Sequence, residues 1–129
     1  QFADALAAQP VRDFRFDVFR LYFHKDSVRL VDDSLPILDA LIGRLHQPAV
    51  LEAYVVGHAD RLASNDYNHR LSCRRASAVK DRLVKTGIAP ELLQLACLGE
   101  SEPQVQTADE IGEPLNRRVK IVVKTAVPH

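Results

Sequence analysis

Residues 51–83 read LEAYVVGHADRLASNDYNHRLSCRRASAVKDRL. The apolar run Leu51 to Val56 is short and bounded by Gly57, which is the pattern of a buried strand ended by that glycine. After a polar stretch, Leu71, Ala76, Val79 and Leu83 recur at helical spacing, leaving Arg74, Lys80, Asp81 and Arg82 for solvent. That helix runs to Lys85, and Gly87 supplies its C-terminal stop. Asp60 follows the strand and Arg75 sits inside the helix, so an acid and a guanidinium can converge from separate elements. Such a pair suits a ligand carrying both charges. The carboxylate accepts from an ammonium, and the guanidinium offers a carboxylate a two-pronged fork that lysine cannot reproduce.

The same strand and helix signals continue on either side. Phe14 to Phe23 is aromatic and β-branched, with Phe19, Leu21 and Phe23 on one face and Arg20, Tyr22 and His24 on the other. Asp32, Asp33 and Ser34 precede a helix whose apolar stripe is Leu35, Leu38, Leu41, Ile42 and Leu45, with Pro36 in its first turn and Gln47-Pro48 at its end. Leu92 to Leu98 reads as a strand, with a helical turn over Glu91 to Leu93 as the competing assignment. A loop punctuated by Pro and Gly covers Gly99 to Leu115, and Val119, Ile121 and Val123 then alternate with Lys120, Val122 and Lys124 as the last strand. The order β-α-β-α-β-β predicts an α/β (α+β) fold, a mixed sheet with two main helices packed on one face. Residues 1–12 are Ala-rich and break at Pro10, reading as a flank or linker to a single domain over 13–129.

Composition narrows the classes of function. The 129 residues carry 17 Lys+Arg against 17 Asp+Glu, a formal net charge of zero, and no basic face marks a nucleic-acid partner. No apolar run approaches the roughly 20 residues needed to span a bilayer. The chain starts at Gln1, has no Met and shows no signal-peptide pattern, so it reads as a mature or excised fragment with any membrane anchor outside it. Two cysteines, Cys73 and Cys97, are too few for a disulfide framework, and spacing leaves open both their pairing and the compartment.

Several separated motifs carry a family resemblance across about Leu21 to Val123. They are Leu21-Tyr22-Phe23 with Asp26-Ser27 and Leu30, Gly57-His58-Ala59-Asp60, Tyr67-Asn68-His69-Arg70-Leu71-Ser72 with Arg75-Ala76, Gly99-Glu100-Ser101-Glu102-Pro103, and Asn116-Arg117-Arg118-Val119. In this order they resemble the peptidoglycan-binding domain found at the C-terminus of OmpA-like proteins, in peptidoglycan-associated lipoproteins and in flagellar motor stators. The resemblance implies a periplasmic, noncatalytic module that needs no cofactor and anchors an envelope protein to the cell wall. Its ligand would be the diaminopimelate of the peptidoglycan stem peptide, whose side chain ends in an ammonium and a carboxylate on one carbon. Asp60 and Arg75 are the implied pair for those two charges. Asn68 would also touch the ligand, Leu71 would shape the pocket, Arg117 would add positive potential, and backbone groups near His58 and Ala59 would line the mouth.

The residues themselves also admit plainer roles: Asn68 as a helix cap, Leu71 as core, and either Arg117 or Arg118 as decoration of a strand face. Ala59, Ala63, Lys25, Cys97 and Glu113-Pro114 depart from the family's usual Thr, Gly, Phe, Gly and Arg-Ala. Two rival functions remain. One is an assembly module for envelope or secretion-machine proteins that binds no wall ligand. The other is a zinc site drawn from His58-x-Asp60, the pair His69 and Cys73, and His24. Nucleophilic catalysis has no support, since neither a G-x-S-x-G elbow nor a P-loop is present.

Overall fold

The computed structural model describes residues 13–59, 65–99 and 114–127. Six main elements appear in the order β1 (Asp13–Tyr22), α1 (Leu35–Leu45), β2 (Val50–His58), α2 (Asn65–Lys85), β3 (Leu93–Gly99) and β4 (Arg118–Val127). The expected β-α-β-α-β-β order is the observed one. Short 3-10 turns at Asp32–Ser34, Pro90–Leu92 and Pro114–Asn116 precede α1, β3 and β4. The turn at Pro90–Leu92 and the strand after it divide between them the two assignments that segment allowed.

The four-stranded sheet has the spatial order β1-β4-β2-β3. β4 runs antiparallel to both β1 and β2, and β2 runs parallel to β3. The last strand is thus threaded through the middle of the sheet. Its inward residues Val119, Ile121 and Val123 are completely buried, as central placement requires. They meet Leu21 and Phe23 of the β1 end, Ala53 and Val55 of β2, Leu93 of β3, Leu38, Leu41 and Leu45 of α1, and Ala76, Val79 and Leu83 of α2 in one core. Each large aliphatic side chain so removed from water contributes about 1.5–3 kcal/mol. The other sheet face keeps Phe14, Phe16, Val18 and Tyr54 exposed.

Local chemistry explains the ends. Gly87 adopts φ +103°, and the bonds Gly87 N–H to Val84 O (3.0 Å) and Ile88 N–H to Leu83 O (3.3 Å) close α2 in a Schellman turn. Ser34 makes no side-chain cap; its buried hydroxyl accepts the Tyr22 N–H at 2.8 Å and so ties the start of α1 to β1. Arg44 reaches from α1 across the sheet edge to Asp17 (3.0 Å) and Thr125 Oγ1 (2.6 Å).

Gly57 does not end β2, as its sequence position led us to expect; the strand continues to His58. A Cβ at Gly57 would fall on the carbonyl oxygen of Ser72 and 2.7 Å from its carbonyl carbon, so the glycine is there to let α2 lie directly on β2. Beside this contact Cys73 and Cys97 form a disulfide, joining α2 to the β3 residue that pairs with Gly57. The cysteine that stands in place of the family's usual glycine is therefore half of a covalent staple.

Candidate functional site

The C-terminal end of β2, the start of α2 and the turn after β1 meet at Arg75. The guanidinium is 0% exposed. Nε donates to Ser27 O at 2.9 Å, NH2 to His24 O at 3.1 Å and NH1 to His58 O at 3.3 Å, while Cζ lies 5.2 Å from the centre of the Phe23 ring. A buried guanidinium must have its donors matched, and here main-chain carbonyls and an aromatic face share that work. The turn is shaped to present those carbonyls: Asp26 takes φ +50°, Ser27 Oγ accepts the Arg29 N–H at 2.9 Å, and His24 N–H reaches Arg29 O at 3.0 Å. Sequence reasoning marked Asp26-Ser27 as a motif. It missed that the backbone of His24 and Ser27 receives Arg75, because a carbonyl leaves no trace in residue identity.

The other candidates are distributed around this point. His58 and Ala59 are buried at the end of β2, and the His58 carbonyl is one of the Arg75 acceptors. Asn68 and Leu71 are buried on the first turns of α2, with Asn68 inside the helix rather than at its boundary. Leu71 and Ala59 are buried outside the main core cluster. Asp60 lies outside the described residues, as do Ala63 and Glu113.

Arg117 sits elsewhere. It is half-buried and lines a cavity of about 380 Å³ with Tyr22, His24, Asp33, Ile37 and Leu115. Phe23 and His24 adjoin both this cavity and Arg75, and the Phe23 N–H donates to Arg117 O at 2.8 Å. Of the two closing arginines, Arg118 is the more buried. The zinc alternative loses one of its ligands, since Cys73 is held in the disulfide and has no thiolate to offer. Among the described residues no cluster of three or more His, Cys, Asp or Glu could hold a metal ion.

The comparisons with known proteins bear on the family and the fold. Residues 22–117 match the OmpA family, and the chain belongs to that family. It is 37% identical to outer membrane porin F of Pseudomonas fluorescens over 123 residues, covering 93% of this chain and 36% of the porin. It is 36% identical to the peptidoglycan-associated lipoprotein of Pseudomonas aeruginosa over 103 residues, covering 78% of this chain and 59% of the lipoprotein. The chain thus spans only part of the length of these relatives. Among solved structures, the peptidoglycan-associated lipoprotein of Burkholderia pseudomallei superposes with a TM-score of 0.72 at 26% identity, covering 81% of this chain and 89% of that one. The cell wall anchor of the T6SS from Pseudomonas aeruginosa superposes with a TM-score of 0.66 at 27% identity, covering 96% and 93%.

Proposed function

We propose that this chain is a noncatalytic cell-wall anchor of the bacterial envelope, facing the periplasm and binding the peptide stem of peptidoglycan through its diaminopimelate. The observation that carries the reading is a buried guanidinium oriented by three main-chain carbonyls, one of them that of His58, two positions before Asp60. Carbonyl dipoles hold Arg75 in place and leave its charge intact, so the mouth of this site favours an anionic group. Asp60 takes the ammonium on the same carbon. Arg75 is closed over by the 24–29 turn, so the ligand carboxylate engages it by exchanging for a turn carbonyl. Relatives named as peptidoglycan-associated lipoproteins and as a cell wall anchor support this reading. The disulfide fits an oxidising compartment.

A zwitterion held at a wet site binds at about micromolar to millimolar strength, and retention on the wall then comes from many attachment points. The test is calorimetric titration with a stem peptide containing diaminopimelate against one with lysine in its place, which lacks the terminal carboxylate. Preference for the first supports the assignment, and equal binding removes it. Asp60→Ala should abolish retention on purified cell walls while unfolding stays cooperative. Full retention by that variant would favour an assembly module instead.

A further inference from the structure

We infer that β1 is a self-association edge, and that two copies of this chain join β1 to β1 in antiparallel register centred on Phe16. β1 is an outer strand of the sheet, and among the described residues it has no strand partner on its far side. Its last residue shows which backbone groups face outward: Tyr22 N–H goes to Ser34 Oγ and Tyr22 O receives the Val31 N–H, both away from β4. The β1–β4 register is unbroken from Asp13 to Tyr22, so Phe14, Phe16, Val18 and Arg20 aim their N–H and C=O groups the same way. The 31–34 segment covers the edge only at Tyr22.

The side chains at this edge are unusual for one left open. Phe14, Phe16 and Val18 are 50%, 55% and 44% exposed. Open edges are normally blunted by charge, proline or a bulge; β1 carries Asp13, Arg15, Asp17 and Arg20, all but Arg20 on the helix-side face, while its other face presents the apolar row, with Lys124 4.2 Å from the Phe14 ring centre. A two-fold axis through Phe16 places Phe16 opposite the partner's Phe16 and Phe14 opposite the partner's Val18, as hydrogen-bonded pairs made by the outward backbone groups. The intervening non-bonded pairs set Arg15 against the partner's Asp17 and Asp17 against the partner's Arg15; within its own chain Asp17 already accepts from Arg44 at 3.0 Å and Arg15 at 3.3 Å, so the partner's arginine joins an existing ion pair. On the helix side, Ala40 and Gly43 of α1 flank an open groove with Arg15, Phe19, Arg44 and Gln47, and a Cβ on Gly43 would meet nothing within 4 Å. That leaves room for the second copy's α1 above the seam. The result is one continuous sheet carrying two candidate sites, which doubles attachment if the wall-binding reading holds.

The test uses sedimentation velocity and native mass spectrometry on the wild-type chain and two charge reversals. The wild type is expected to dimerise in a concentration-dependent way. Arg15→Asp and Asp17→Arg each set like charges opposite one another and should weaken self-association by about tenfold or more; Asp17→Arg also gives up the Arg44 contact, so circular dichroism first establishes that it is folded. Mixed together, the two variants restore both opposite-charge pairs and should form a heterodimer as tight as the wild-type homodimer. A wild type that stays monomeric at every concentration overturns the inference. So do reversals that dimerise as the wild type does, or a mixture that fails to associate while both variants remain folded. Wall binding by the monomeric variants is measured separately, so loss of the dimer is distinguishable from loss of the ligand site.

Discussion

Arg75 is the residue on which stability and recognition meet. Truncation to alanine strands the buried carbonyl of His58, which costs about 1–3 kcal/mol, and the part-buried carbonyls of His24 and Ser27, and removes the side chain that packs on Phe23. Arg75→Ala is therefore expected to lose roughly 3 kcal/mol or more in urea unfolding, and weak wall binding by that variant alone would not identify a ligand contact. The comparison of diaminopimelate and lysine stem peptides on the unaltered protein is the cleaner probe for that reason. Gly57 is equally constrained. Gly57→Ala drives a methyl into the Ser72 carbonyl and is expected to cost over about 2 kcal/mol, seen as a lower denaturation midpoint at unchanged slope. Both residues were flagged in the sequence by motif, yet the structure gives each a physical reason beyond the expected one. The glycine was assigned to a strand end, whereas it provides close helix-on-strand contact. The arginine was read as a ligand contact, and the structure adds that it closes the 24–29 turn onto β2.

Among the elements, α2 carries most of what the site needs, and two features hold it on the sheet. The Schellman turn at Gly87 uses φ +103°, so Gly87→Ala should destabilise by about 1 kcal/mol in thermal unfolding. The Cys73–Cys97 disulfide spans a sequence separation of 24, and replacing both cysteines with serine should cost about 3–4 kcal/mol in the same measurement. An indistinguishable double-serine variant would show that the staple constrains nothing the packing has not already constrained. Gly43 is the opposite case: with open space around it in mid-helix, Gly43→Ala should raise stability by about 0.5–1 kcal/mol. Helical spacing made α1 and α2 legible because their apolar stripes are continuous. Pairing of the cysteines was not legible, because it depends on the register of β3 beside β2 and not on spacing along the chain.

For the molecule as a whole, one core cluster links all four strands and both helices, so unfolding should be a single cooperative transition. Near-UV and far-UV circular dichroism are expected to coincide in urea, and separated midpoints would show that the edge strand β1 melts independently. The chain's own letters determined the succession of strands and helices, the net charge of zero and the family motifs, because periodicity, composition and glycine placement are local properties. Tertiary structure alone decided that β4 enters between β1 and β2, that Arg75 is buried among carbonyls, and that Arg117 lines a cavity sharing Phe23 and His24 with the Arg75 surroundings. It also decided that an apolar face of β1 is left exposed. Those outcomes rest on contacts between residues far apart in sequence, where main-chain atoms identical at every position choose the partners.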